Sequence, residues 1–315
     1  MKTKTLMMAK WVLCIALLTG VSFIYYLNTG ITTSKVLYIP QGSIRKIIAH
    51  LHERNSELTL LDTAALRLFG GRPQHGWIDM GGTVMTHADY LHRLCTSRAA
   101  LKNVTLVPGE TTFIFAMQAA KALDLNATKL RRAFERLAPW KEGALVPDTY
   151  ALPVGLDENG TAALLLSHAA RTMRQWSQTI FGDWNAARWH RYVVIASIVQ
   201  KEAASNDEMP IVASVIYNRL NKGMKLQMDG SLNYGRFSHI PVDAGRIRKD
   251  RSGYNTYHIK GLPKEPVCNV SFAALHAAIF PAKTDYLYFV KGSDGKHRFT
   301  RYYSTHIRNI KHVTK

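Results

Sequence analysis

The sequence predicts an α+β fold with a helix-rich middle, set behind one N-terminal membrane-crossing helix. Three observations carry that prediction. An uncharged apolar run lies close to the N-terminus, helical spacing of apolar residues recurs through the middle of the chain, and short strand patterns flank turn residues at either end. The 315 residues are 47% hydrophobic and 20% charged, a globular composition that excludes a disordered or collagen-like chain. Lysine and arginine number 41 against 22 acidic residues, so the net charge of +19 predicts an anionic partner. Three cysteines without a CxxC pair exclude a zinc ribbon and a disulfide-stapled fold.

The elements follow in order. Lys2, Lys4 and Lys10 precede residues 11–27 (WVLCIALLTGVSFIYYL), which carry no charge, and the next charge is Lys35. Such a run is just long enough to cross a hydrocarbon core of about 30 Å, and Met7 and Met8 lengthen it. Lysines ahead of it and none close behind place the N-terminus in the cytoplasm. No small-x-small cleavage site follows, and Tyr25 and Tyr26 suit a membrane interface, so an uncleaved anchor is expected rather than a removed leader. Residues 32–34 then read as a polar stem, 35–40 (KVLYIP) as a strand and 41–42 as a turn. Ser43 caps a helix with Ile44, Ile47, Ile48 and Leu51 on one face. Glycines at 70, 71, 76, 81 and 82 break up a weakly patterned stretch. A domain boundary is expected near residue 100.

Beyond it, residues 105–107 predict a strand, 108–109 a turn, and Thr111 onward a helix. Asn126 or Thr128 caps another helix with Leu130, Ala133, Phe134 and Leu137 on one face. Asp157–Thr161 (DENGT) reads as a turn, since it lacks the carboxylate spacing of a calcium loop. Helices are expected over 161–181, 191–204 and 207–220, a strand over 285–290, a return over 297–300 and a final helix over 303–313. His50 and His52 fit a solvated helix face better than a metal site, because no other ligands cluster near them.

Glu202 is the carboxylate that stands out. It ends residues 193–202 (VVIASIVQKE), a helix apolar on nearly every side and therefore expected to be buried. A carboxylate held there is desolvated, which raises its pKa toward neutrality, as a general acid requires. The same pattern also permits an ordinary surface residue beside Lys201. Downstream come Gln227, Asp229, Asn233 and Tyr234, then Tyr254-Asn255-Thr256-Tyr257. Aromatic faces for sugar rings and amides for hydroxyls are what a carbohydrate groove uses, although each tyrosine taken alone would suit loop packing.

Residues 195–235 (IASIVQKEAASNDEMPIVASVIYNRLNKGMKLQMDGSLNYG) resemble the signature of the endolytic murein transglycosylases, the YceG-like family. So do 146–150 (VPDTY), 254–257 followed by Gly261-Leu262-Pro263, and 277–290 (AAIFPAKTDYLYFV). The order and spacing match from about residue 105 to the C-terminus. The resemblance implies three parts: residues 1–34 as tip, anchor and stem, 35–100 as a LysM-like membrane-proximal module, and 101–315 as the catalytic domain. It implies an inner-membrane protein with its catalytic domain outside the cytoplasm. Glu202 matches the family's essential glutamate, and Gln227, Asp229, Tyr254, Asn255, Tyr257, Asp148 and Tyr150 match positions assigned to substrate binding.

The implied reaction is cleavage of the MurNAc-β-1,4-GlcNAc bond of nascent peptidoglycan with 1,6-anhydro ends, which would terminate or trim glycan strands, with no metal or other cofactor. Peptidoglycan synthases are implied as partners, and nucleic acid is not. Gln200 stands where the family often has a second glutamate. Lys264, Cys268 and Phe280 replace residues commonly Pro, Ala and His, and Ile307 follows His306 where Asn is usual. The competing readings are a hydrolase of the same bond, a non-catalytic peptidoglycan-binding scaffold, and a nucleic-acid binder suggested by charge alone.

Overall fold

The structure is a computed structural model and describes residues 2–53 and 57–313, with the side chains of residues 2–6, including Lys2 and Lys4, outside the description. The chain divides into two compact units: Met1–Lys102 with Leu152–Leu156, and Asn103–Ala151 with Asp157–Lys315.

In the first unit, α1 (Lys2–Leu27) holds the apolar stretch Met7–Leu27, of mean hydropathy 1.9. Its 21 residues, rising 1.5 Å each, span about 31 Å, close to the thickness of a hydrocarbon core. The expected stem is in part a strand: β1 (Gly30–Thr32) pairs antiparallel with β4 (Val84–Thr86). A second antiparallel pair joins β2 (Val36–Ile39) to β3 (Gly76–Asp79), with Val36 opposite Asp79 and Ile39 opposite Gly76. Three short helices complete the unit: α2 (Ile44–His52), capped by Ser43, α3 (Leu60–Leu68) and α4 (His87–Thr96), capped by Thr86. The sequence reading did not find α3 or α4 in the glycine-broken stretch.

The core of this unit includes Ile39, Ile47, Leu51, Leu66, Ile78, Tyr90 and Leu94, and Phe23 and Leu27 of α1 pack against it. At its centre Asp62 is fully buried. It accepts hydrogen bonds from Thr59 N at 2.6 Å and Tyr26 Oη at 2.8 Å, and its other oxygen lies 3.0 Å from His87 Nδ1. With Thr59 it forms a capping box for α3.

The second unit opens at the pairing of β5 (Leu101–Thr105) with β6 (Thr149–Pro153). Next come α5 (Thr112–Leu123) and α6 (Ala127–Leu137), capped by Thr111 and Asn126. Leu130, Ala133 and Phe134 are buried as expected, but Leu137 is exposed. The DENGT segment is no free turn. Asp157 caps α7 (Glu158–Phe181) by accepting from Gly160 N, so the helix begins inside the segment. Asn185 caps α8 (Ala186–Glu202), and residues 193–199 of α8 are all buried, with α9 (Met209–Asn221) and α11 (Phe272–Ile279) packed on it. Between those two lies a loop with two 3-10 turns, Asp229–Leu232 and Gly235–Phe237, and the short α10 (Ala244–Lys249). The hairpin β7 (Tyr288–Lys291) and β8 (His297–Thr300) and the helix α12 (Tyr303–Val313) close the unit.

Replacing Asp62 with Ala strands the His87 ring, the Thr59 amide and the Tyr26 hydroxyl together. Chemical unfolding of the full chain in detergent is expected to show the first unit destabilised by about 3 kcal/mol.

Candidate active site

Glu202 is placed by the packing of α8. Three residues beyond the last fully buried turn, it is half-buried and faces the 226–232 segment. Gly230 N donates to Glu202 Oε1 at 2.6 Å. The approach is close enough that a Cβ on Gly230 would lie 2.6 Å from Lys201 Cβ and 2.9 Å from Glu202 Oε1, so only glycine fits.

The electrostatics make Glu202 an acid that keeps its proton near neutrality. Burial pushes its pKa from 4.5 up to about 7; the Gly230 amide and the Arg219 guanidinium pull it down, and the Asp229 carboxylate pushes it further up. Tyr257 Oη donates to Asp229 Oδ1 at 2.6 Å. Burial, that bond and the nearby Asp229 and Glu202 charges hold the Tyr257 hydroxyl well above its ordinary value.

The two loop segments carrying these residues run side by side. Gln227 N donates to Thr256 O at 3.1 Å and Met228 N to Thr256 Oγ1 at 2.9 Å. Gln227 is exposed and sits at φ 50°, an uncommon conformation for a residue with a Cβ. The structure brings Glu202, Asp229 and Tyr257 together, and Gln227 precedes Asp229 by two residues on the same segment.

The other expected residues serve differently. Asn255 is fully buried; its Nδ2 donates to the carbonyls of Ile247 and Asp250 at 2.8 Å each, and its Oδ1 accepts from Tyr257 N at 3.1 Å. It builds the loop that presents Tyr257 and has no surface to offer a ligand. Tyr150 is buried with its ring against Phe115 and His168 and its hydroxyl on the Val146 carbonyl, so it belongs to the interior. Asp148 is exposed, and its carboxylate accepts from Thr149 N at 2.7 Å at the start of β6. Tyr254 stacks on Tyr234 with centroids 4.3 Å apart, and both line a cavity of about 450 Å³ with Glu142, Arg131 and Phe113.

Three residues of this region escaped the sequence reading. Arg219 of α9 is buried, donates Nε to Leu287 O at 2.6 Å and Nη1 to Leu226 O, and exchanges charge interaction with Glu202. His306 of α12 stacks on Tyr288 at 5.3 Å, and burial together with the Arg219 charge lowers its pKa. Glu142 is a second buried carboxylate, pushed up to about 7 by burial, whose Oε1 accepts from Thr112 N at 2.9 Å and Asn269 Nδ2 at 3.3 Å. Its only sequence signal was its place just ahead of the VPDTY segment.

Residues 37–312 match the YceG-like family. The chain belongs to that family. A Bacillus subtilis (strain 168) protein named endolytic murein transglycosylase is 31% identical over 167 residues, which cover 52% of this chain and 46% of the relative. A Streptococcus pneumoniae (strain D39) protein of the same name is 30% identical over 175 residues, 54% of this chain and 31% of the relative. The matches thus span less than half the length of these curated relatives. A crystal structure of a YceG-like protein from Listeria monocytogenes superposes with a TM-score of 0.56 at 21% identity, covering 88% of this chain and 99% of that one, which supports the shared fold.

Gly230→Ala keeps the backbone N–H, but its Cβ would meet Lys201 Cβ at 2.6 Å, so the segment must shift and the hydrogen bond to the Glu202 carboxylate is weakened. The pKa of Glu202, followed by NMR of ¹³C-labelled glutamate, is expected to rise above its value of about 7. The crowding costs about 1–3 kcal/mol in unfolding measurements.

Proposed function

We propose that the protein is a membrane-anchored endolytic lytic transglycosylase of nascent peptidoglycan. The observation that carries this reading is Glu202: a carboxyl group that remains protonated to about pH 7, held by a backbone amide at the end of a buried helix, in a chain of the YceG-like family. The names of the Bacillus and Streptococcus relatives support the substrate class.

In the reaction, Glu202 gives its proton to the glycosidic oxygen as the MurNAc–GlcNAc bond breaks and the muramyl C1 becomes oxocarbenium-like. The GlcNAc leaves with a 4-hydroxyl. The Glu202 carboxylate then takes the proton of the muramyl C6 hydroxyl, whose oxygen bonds to C1 and closes the 1,6-anhydro ring. The acid is restored and no water is consumed. Gly230 N and Arg219 stabilise the carboxylate form in the interval between the two transfers, whereas Asp229 favours the acid. Gln227, Asp229 and Tyr257 offer an amide, a carboxylate and a hydroxyl to sugar substituents, and the Tyr234–Tyr254 cavity offers aromatic faces for a neighbouring ring. Asn255 and Tyr150, both buried, act on the substrate only through the loops they hold, and the exposed Asp148 is left as a candidate contact to the glycan.

Anchoring is part of the proposal. Phe23 and Leu27 pack on the core of the first unit, and Tyr26 bonds to its buried Asp62, which favours a retained anchor over a removed leader. We read residues 1–34 as tip, anchor and stem in the inner membrane with the N-terminus cytoplasmic, 35–100 as the LysM-like membrane-proximal module and 101–315 as the catalytic domain outside the cytoplasm. Peptidoglycan synthases are the natural partners, since this activity would terminate or trim the strands they extend.

Digestion of purified peptidoglycan by the full chain in detergent, read by mass spectrometry, is expected to release ends one water lighter than hydrolysed ends. Glu202→Gln should lower the rate roughly a thousandfold. Ordinary reducing ends would identify a hydrolase instead. Inactivity of the folded wild type would favour the scaffold reading. Because the acid form is the active one, kcat/KM is expected to fall about tenfold per pH unit above about 7. Asp229→Asn removes a charge that raises the Glu202 pKa, so the falling limb should move to lower pH.

A further inference from the structure

Helix α3 breaks the rule for a helix at a protein surface. Asp62, Thr63, Ala65 and Leu66 form its buried side, packed into the first unit. Its outward side is formed by Leu60, Leu61, Ala64, Arg67 and Leu68, all exposed, and Phe69 follows at its end. Leu60 is 76% exposed, Leu68 72% and Phe69 68%. A helix facing water carries polar residues on its outer side; one that is apolar all round is covered by something. Nothing among the described residues covers this face.

Its position relative to α1 says what does. Tyr26 Oη lies 2.9 Å from Thr59 Oγ1 at the N-terminal end of α3 and donates to Asp62. Leu27 lines one cavity with Ala65, Leu66 and Phe69 at the other end. Tyr26 and Leu27 are neighbours in the last turn of the apolar span. Nine helical residues extend about 13 Å. A helix of that length whose two ends both meet the same turn of α1 lies across that turn and does not run along α1. With α1 crossing a bilayer, α3 therefore lies at the level where the span leaves the hydrocarbon.

The same face carries charge. Arg45 and Arg67 line an open groove with Leu60, Leu68 and Thr63, and the Thr63 hydroxyl, on a residue 8% exposed, has no hydrogen-bond partner among the described residues. Two guanidiniums and an unused hydroxyl beside exposed leucines suit a phosphate that carries acyl chains.

We propose that α3 is an interfacial helix that lies in the outer surface of the membrane, with Leu60, Leu61, Leu68 and Phe69 in the boundary between headgroups and acyl chains and the Arg45–Arg67 groove holding the phosphate of an anionic phospholipid. This rests on the anchored reading of α1. It follows the general physics of amphipathic interfacial helices, in which apolar burial and attraction to anionic lipid add.

The test uses the full chain carrying Cys14→Ser and Cys95→Ala in phosphatidylethanolamine–phosphatidylglycerol liposomes, leaving the buried Cys268. Leu17→Cys, Leu61→Cys and Leu68→Cys, made one at a time, carry an environment-sensitive fluorophore, and lipids brominated on their acyl chains serve as quenchers. Bromine quenching at 17, 61 and 68 alike is the expected result. Quenching at 17 without quenching at 61 and 68 overturns the proposal and leaves the anchor standing, whether water or a second protein copy covers α3. No quenching at 17 means that α1 does not span, and the anchored reading fails with this one. In a second arm, association of spin-labelled phosphatidylglycerol relative to phosphatidylcholine is measured by electron spin resonance. Arg45→Gln with Arg67→Gln should lower that preference roughly fivefold or more. An unchanged preference removes the phosphate site from the proposal and overturns it to that extent.

Discussion

The chemistry of this protein depends on the burial of one helix. The run from Val193 to Val199 has no side that can face water, so α9 and α11 must cover it, and the helix then ends in the polar turn Gln200-Lys201-Glu202 at which Glu202 emerges. Desolvation of that carboxyl is not an extra feature of the site. It follows from the same packing that makes the core. The residues that tune it arrive on the covering elements: Arg219 on α9, and Gly230 and Asp229 on the loop that follows α9. Stability and acid strength thus draw on one set of contacts, and changes in the packing of α8 act on both.

Much of the fold was legible because its elements carry local signals. Ser43 in the first unit and Thr111 and Asn126 in the second are side-chain caps in the structure, and the buried stripe Leu130, Ala133 and Phe134 has helical spacing, whereas α8 begins at Ala186, five residues before the expected 191. The burial behind Glu202 was legible for the opposite reason, since an unbroken apolar run requires cover. What could not be read were the contacts made across long sequence distances. Gly230 looks like any turn glycine until Lys201 and Glu202 are seen against it, and Asn255 looks like a binding amide until its acceptors are found in the carbonyls of Ile247 and Asp250. Arg219 carries no local mark distinguishing it from a solvated arginine. Helix α3 carries no amphipathic signal that reads outward as polar, because its polar Asp62 and Thr63 lie on the buried side while Leu60, Leu61 and Leu68 face outward.

The loop between α9 and α11 shows how a site can be built mostly from backbone. Its two halves are joined by Met228 N to Thr256 Oγ1, its far end by the Tyr234 hydroxyl to Asp250 at 3.0 Å, and its base by Thr111 Oγ1 to the Gly235 carbonyl at 2.8 Å. Two of these ties hold main chain directly and the third joins side chains across the loop, so the Gly230 amide reaches Glu202 already oriented. Gln227 and Asp229 remain exposed on this frame.

The tie between Tyr26 and Asp62 has a bearing on the protein's fate in the cell. Phe23, Tyr26 and Leu27 belong to α1 by sequence and to the first unit by packing. A cut between α1 and the rest, followed by loss of α1, would therefore not leave an intact first unit. It would strip a wall from an apolar core, take a hydrogen-bond partner from Asp62 and remove the ring packed against His87. Loss of α1 and loss of the folded first unit are thus coupled.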